Sequence, residues 1–258
     1  MATHSGLLHR KIILAAGIIS LFALNYAHAE PVLRSRPKPP TNIETSLIWY
    51  KAYDQGMVSA LTQDLDQLLE GYKNPDHIPG RAENLVNCDY LNTPKGNEVC
   101  RIDVMNWTPC THEDDYGYKN NTPCVFLSLE KLMGWQPEFY NDTNTLPAEM
   151  PEDLKTYIAE QKNINPNNAN QVWVSCSGDN PASSENIGPI EYLPQRGFPG
   201  YFFPFSNTTG NLSPLIAVHF KRPMRGVIIG VECKLWARNL KHTEPEKQGV
   251  LLFELLND

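Results

Sequence analysis

Residues 226–240, GVIIGVECKLWARNL, constrain the fold more than any other stretch of the chain. Val227, Ile229, Val231, Cys233, Leu235 and Ala237 alternate with Ile228, Gly230, Glu232, Lys234, Trp236 and Arg238. Successive side chains of a strand point to opposite sides of its sheet, so this is a long strand with one apolar face. Cys233 lies in the middle of that face and asks for a partner.

A second stretch of the same kind supplies one. In residues 171–177, QVWVSCS, Val172, Val174 and Cys176 share a face. Two strands with a cysteine on each apolar face suggest a bridge through the core of a β-sandwich. The other cysteines, Cys88, Cys100, Cys110 and Cys124, fall in a loop-rich region, residues 74–124. Closing Cys88 with Cys100 and Cys110 with Cys124 would staple a stretch with little apolar content, each closure contributing about 3 kcal/mol through loop entropy. Six cysteines without CxxC or zinc spacing point to three disulfides made in an oxidising compartment, with six reduced core thiols as the alternative. Sequons at Asn106, Asn120, Asn141, Asn207 and Asn211 point the same way.

The N-terminus agrees. Arg10 and Lys11 precede an apolar run, residues 12–24, followed by Ala27-His28-Ala29 and then Glu30. That order is the pattern of a secretory signal peptide. Such a run rises only about 20 Å as a helix against a hydrocarbon core of about 30 Å. The alternative is a short uncleaved signal anchor reaching Ala29. Residues 1–29 are therefore leader or anchor, and the bulk of the chain enters the secretory lumen. Residues 30–45, with four prolines and three basic residues, read as an extended stalk. Residues 46–258 form the ectodomain.

Within the ectodomain, residues 46–50, 125–133, 215–220 and 250–256 read as further strands. Asp54 caps a helix with Met57, Val58, Leu61, Leu65, Leu68 and Leu69 at helical spacing, ended by Gly71 and Pro75. A short helix opens at Pro151. The expected class is mostly β with flanking helices.

Chemistry is harder to find. The balance of 22 Lys and Arg against 29 Asp and Glu, with no basic block, excludes a nucleic-acid binder. HExxH, GxSxG, P-loop and GxGxxG patterns are absent. The run Thr111-His112-Glu113-Asp114-Asp115 lacks EF-hand spacing and reads as a solvated loop. With the cysteines in bridges, neither a catalytic residue nor a metal or cofactor site is expected. One stretch suggests binding instead. Residues 197–205, GFPGYFFPF, set five aromatics on a backbone stiffened by prolines, which fits either a rigid loop closing one end of a sandwich or a contact surface.

Taken together, several segments resemble the β subunit of the sodium/potassium-transporting P-type ATPase, a family that includes the gastric proton/potassium pump. They are Cys124-Val125-Phe126-Leu127-Ser128-Leu129, Gly134-Trp135-Gln136-Pro137 and residues 172–176, 197–205, 212–220, 231–239 and 249–255, with residues 46–50 matching the start of the family's ectodomain. The resemblance implies a non-catalytic, glycosylated ectodomain with an immunoglobulin-like β-sandwich and bridges between consecutive cysteines. It also implies assembly with a catalytic α subunit at the plasma membrane, supporting its folding, delivery and potassium handling. The aromatic loop matches the family's Tyr/Phe-Pro-Tyr/Phe motif, so Tyr201, Phe202, Phe203 and Phe205 become partner-binding candidates. Trp236 joins them as a large aromatic among charges on the outer strand face. Two departures stand out. The apolar N-terminal run is short, with Phe22 and Tyr26 as its aromatics. Asn211 occupies a place where members often carry tyrosine, beside the proposed contact. The expected function is an accessory subunit binding the α subunit from the extracellular side. The alternative is a secreted or cell-surface adhesion glycoprotein that kept the fold without the pump.

Overall fold

The computed structural model describes residues 31–38, 46–130, 132–243 and 247–258; the expected leader or anchor, residues 1–29, and residues 30 and 39–45 of the expected stalk lie outside them. The strands in chain order are β1 (Val32–Arg36), β2 (Leu47–Tyr50), β3 (Leu85–Val86), β4 (Val99–Cys100), β5 (Cys124–Glu130), β6 (Gln171–Gly178), β7 (Ile190–Leu193), β8 (Gly197–Pro199), β9 (Leu215–Phe220), β10 (Ile228–Trp236) and β11 (Val250–Asn257). The helices are α1 (Gln55–Lys73), α2 (Arg81–Asn84), α3 (Glu152–Ile164) and α4 (Pro181–Asn186).

Two sheets form the sandwich, one ordered β1-β5-β9-β7 and one ordered β2-β11-β10-β6-β8. Pairing is antiparallel throughout both, except that β2 runs parallel to β11. Register follows the apolar alternation, because a slip of one residue would turn every inward side chain outward. Val231 therefore lies opposite Phe253, Ile229 opposite Leu255 and Leu235 opposite Val174. Across the gap they meet Val125, Leu127, Val218 and Phe220 in one continuous core. Phe220 and Phe253 touch edge to face at 6.3 Å.

The other face of the first sheet is covered as well. Phe126 lies under Trp107 and Tyr116, with ring centroids at 6.2 and 5.8 Å. The Cys110–Cys124 disulfide ties this cover to the start of β5. Asp66 of α1 accepts from Tyr116 Oη at 2.6 Å and pairs with His112 at 2.9 Å. Part of the acidic stretch expected to be a solvated loop is thus a 3-10 segment, His112–Asn120, fastened to α1.

Other expectations need correction. Cys176 and Cys233 are bridged, but within the second sheet, on neighbouring strands in direct register with Cα atoms 4.0 Å apart, rather than between the sheets. Alternation places a cysteine on the inward face; it does not say whether the partner is across the sandwich or on the next strand. The Cys176 N–H points away from β10 and donates to Tyr192 Oη at 2.8 Å. Val32–Arg36, assigned to the stalk, is extended but docked as the edge strand of the first sheet, and Arg36 pairs with Asp64 of α1. Helix α1, capped by Asp54 at Met57 N, does not stop at Gly71 but continues to Lys73. Gly71 packs where a Cβ would strike Ile78, so it serves a close contact rather than a terminus. The Cys88–Cys100 pair closes as expected beside the two-stranded β3-β4 sheet.

His219 on β9 gives the fold a pH dependence. It is 5% exposed, its Nε2 has no hydrogen-bond partner, and Nδ1 lies 3.4 Å from Glu191, which also pairs with Lys221. Burial lowers its pKa, against the upward pull of Glu191. His242 is lowered by burial in the same way. The unfolded imidazoles take up protons near pH 6.5. Stability from these groups is therefore complete above about pH 6.5 and lost as pH falls below it towards the folded pKa. The thermal midpoint is expected to drop between pH 7.5 and 5.5, and His219→Gln to flatten that drop. An identical slope in the variant would reject His219 as a source.

Candidate partner-binding site

The aromatic loop begins on β8, which pairs with β6 so that Phe198 lies opposite Val172. Gly200 then approaches the backbone of Asn170, donating its N–H to the Asn170 carbonyl at 2.8 Å. A Cβ at Gly200 would meet that carbonyl oxygen and the ring of Phe139. The same carbonyl accepts from Tyr90 Oη at 2.9 Å, so Asn170 anchors both the loop and the ring beneath it. A 3-10 turn, Gly200–Phe202, follows and is closed by Phe203 N–H donating to the Gly200 carbonyl at 3.0 Å. Phe205 bridges to Met133.

This backbone spreads the four candidate rings into two groups, all half-buried. Tyr201 meets Tyr90 edge-on at 5.3 Å and lies 4.8 Å from Phe202. Both line a cleft of ≈ 340 Å³ with Trp107, Arg101, Asp103 and Pro199. Phe203 sits edge-on over Trp135 at 5.5 Å, and Phe205 lies beside Met133, which is 51% exposed. Burial raises the pKa of Tyr90 and of Tyr201, so both phenols are neutral at physiological pH. The surface is thus a rigid set of half-exposed rings with neutral hydroxyls, suited to non-covalent contact with apolar and hydrogen-bonding groups.

Trp236 does not belong to it. It lies on the outer face of the second sheet, 2% exposed, in a cluster with Trp173, Met150, Leu154 and Ile158. Its Nε1–H donates to Ser175 Oγ at 2.8 Å. The alternation correctly turns Trp236 away from the sandwich core, but α3 roofs it, so as a partner contact it is withdrawn. Tyr90, Met133 and Trp135 are the site residues that pattern reading missed. Trp135 stands inside the quoted Gly134-Trp135-Gln136-Pro137 segment, whereas Tyr90 lies in a loop with no periodic signal at all.

Among the sequons, Asn106, Asn120, Asn141 and Asn207 are exposed and Asn211 is half-buried. The Asn211 Nδ2 donates to the Ser206 carbonyl at 3.0 Å, bracing the segment that follows the aromatic loop. Among the described residues, no group of three or more metal-ligating side chains forms and no helix is long and apolar enough to cross a membrane.

Residues 23–253 match the family model for the sodium/potassium ATPase beta chain. The chain is 52% identical over 229 residues to the sodium/potassium-transporting ATPase subunit beta-2 of Drosophila melanogaster, covering 88% of this chain and 71% of that one. It is 37% identical over 196 residues to subunit beta-1 of the same organism, covering 75% of this chain and 60% of that one. Subunit beta-2 of Homo sapiens is 24% identical over 245 residues, covering 88% and 72%. Three bridged cysteine pairs, a two-sheet sandwich and a match over most of the length lead to one conclusion: the chain belongs to the sodium/potassium ATPase beta chain family.

Proposed function

We propose that this non-catalytic chain binds the catalytic α subunit of a sodium/potassium pump from the extracellular side, through the rings of Tyr201, Phe202, Phe203 and Phe205. The observation that carries this is where the rings lie. Val32 pairs with Glu130 at the end of the first sheet from which the chain continues to Met133, and Met133 bridges to Phe205. Pro31 and the aromatic loop therefore share one end of the sandwich. A membrane-associated segment ahead of Pro31 brings that end, with its rings, towards the membrane and the pump's extracellular loops. The mechanism is binding: contacts that differ between α-subunit conformations shift their populations, which is how a subunit without chemistry alters folding, delivery and potassium handling. On this reading the chain works at the extracellular face of the plasma membrane, with release into the medium where the leader is cleaved after Ala29.

Co-expression of the full chain with an α subunit, followed by affinity capture, tests the contact. Truncating two central aromatic anchors, Tyr201→Ala with Phe203→Ala, is expected to reduce recovered α subunit by at least about tenfold. Phe203 also packs on Trp135, so recovery is compared at equal amounts of folded, disulfide-bonded chain. Equal recovery of α subunit by that variant would overturn the assignment.

A further inference from the structure

The segment after the aromatic loop carries a feature of its own. Of the five sequons, those at Asn106, Asn120 and Asn211 have a proline directly after the hydroxyl residue, which restricts that residue's backbone. The side-chain amides of Asn106, Asn141 and Asn211 each donate to a protein oxygen. Asn207 differs in both respects: glycine rather than proline follows its hydroxyl residue in Thr208-Thr209-Gly210, and its amide, on the wall of a dent, donates to none of the described residues. That dent, ≈ 350 Å³, is lined by Asn84, Asn97, Asn207, Thr208 and Thr209, all amide or hydroxyl side chains. Its size falls in the range that holds small ligands, about 300–1,000 Å³.

The dent is built by close seating of two segments. Gly80 at φ +73° lets Thr209 approach helix α2, and Gly210 at φ +84° lies against the Arg81 backbone. Arg81, 1% exposed, donates from Nη1 to the Gly210 carbonyl at 2.8 Å, while its Nε and Nη2 are unpartnered. Asn84 Nδ2 is fixed by the Gly80 carbonyl at 2.7 Å, which leaves its Oδ1 as an acceptor at the dent. The lining therefore offers amide and hydroxyl donors and acceptors, with Asn84 held by Gly80 and Thr208 by Ser206, and little apolar surface, which is the complement of a sugar carrying hydroxyls and an acetamide.

We propose that Asn207 is N-glycosylated and that the first N-acetylhexosamine docks in this dent against Asn84 and Asn97, clamping residues 206–212 onto α2. In the transfer, Asn207 Nδ2 loses one proton and bonds to the anomeric carbon of the sugar. The bond from that carbon to the phosphate of a polyprenyl-diphosphate oligosaccharide donor breaks, and the lipid diphosphate leaves. The dent shares no lining residue with the cleft under Tyr201 and Phe202. A glycan seated there leaves the aromatic contact uncovered although its attachment point is two residues from Phe205. The inference concerns this chain alone and stands whether or not the rings bind a pump.

The test uses the full chain made in animal cells, with peptide mass mapping at Asn207 and hydrogen exchange of the amides in residues 206–212. Three forms are compared: fully glycosylated, trimmed by an endoglycosidase to one N-acetylglucosamine, and stripped by an amidase, which leaves aspartate at that position, so that Asn207→Gln serves as the uncharged control. Trimmed material is expected to exchange like the native form. Stripped material and Asn207→Gln are expected to exchange about five- to tenfold faster, the loss of one or two neutral hydrogen bonds. Asn97 is exposed, so Asn97→Ala folds and is expected to speed exchange with the glycan still attached. An unmodified Asn207, trimmed material that exchanges like stripped, or Asn97→Ala without effect would each overturn the docking.

Discussion

Replacing Cys176 and Cys233 together with alanine is expected to lower stability by about 4 kcal/mol through loop-closure entropy while leaving the sandwich assembled. The bridge closes a sequence separation of 57 residues, against 12 for Cys88–Cys100, for which the same relation gives about 3 kcal/mol. The native geometry does not depend on the bond. Strands β6 and β10 are held by their own ladder over Val231–Trp236, and the Cys176 N–H is satisfied by Tyr192. The effect therefore falls on the unfolded chain, whose freedom the bridge restricts. For an ectodomain of this size the thermal midpoint should fall by roughly 10 °C. The Cys88→Ala/Cys100→Ala variant should lose less. Thermal unfolding of both double variants decides it. A loss for Cys176/Cys233 below that of the shorter loop would reject the entropic account and shift the weight to packing of the sulfurs.

The strands carrying these cysteines were legible because each has one apolar and one mixed face, a pattern that survives without knowledge of neighbours. Residues 215–220 and 250–256 are legible differently, as short and nearly continuous apolar runs. The docking of Val32–Arg36 was not legible. Its two arginines and the flanking Pro31 and Pro37 argue for a stalk, and only the free edge of β5 recruits it, with Arg36 drawn to Asp64 on α1. The Asp66 hub was hidden for a similar reason. His112 and Tyr116 lie 46 and 50 positions from Asp66 in sequence and meet it only because the Cys110–Cys124 loop folds back over α1.

The candidate surface shows the same division. Tyr201, Phe202, Phe203 and Phe205 could be named from composition and resemblance, since five aromatics in nine residues exceed what a plain turn needs. Their grouping could not. Tyr90 reaches Tyr201 through the Asn170 carbonyl, and Met133 reaches Phe205 across an isolated bridge, contacts that depend on three separate loops. Half-burial of the rings follows from those supports, and a preset orientation lowers the entropy lost on binding.

Trp236→Ala is expected to cost about 3–5 kcal/mol, the range for truncating a large buried aromatic. The ring is enclosed between the second sheet and α3, with Trp173 beside it in register and Leu154 and Ile158 above. Removing it leaves a cavity that two flanking layers can only partly close. It also leaves Ser175 Oγ without its indole donor. Trp173 loses a neighbour while keeping its own bond to the Tyr140 carbonyl at 3.1 Å, so α3 and the segment before it should loosen first. Limited proteolysis within α3 and a lowered thermal midpoint are the expected readouts. Trp236→Phe retains most of the volume and should lose about 1–2 kcal/mol, chiefly the hydrogen bond. Recovery of α subunit per folded molecule should be unchanged in both variants, because no exposed surface is lost. A variant with normal stability and reduced α-subunit recovery would instead return Trp236 to the partner surface, and would require α3 to move aside on binding.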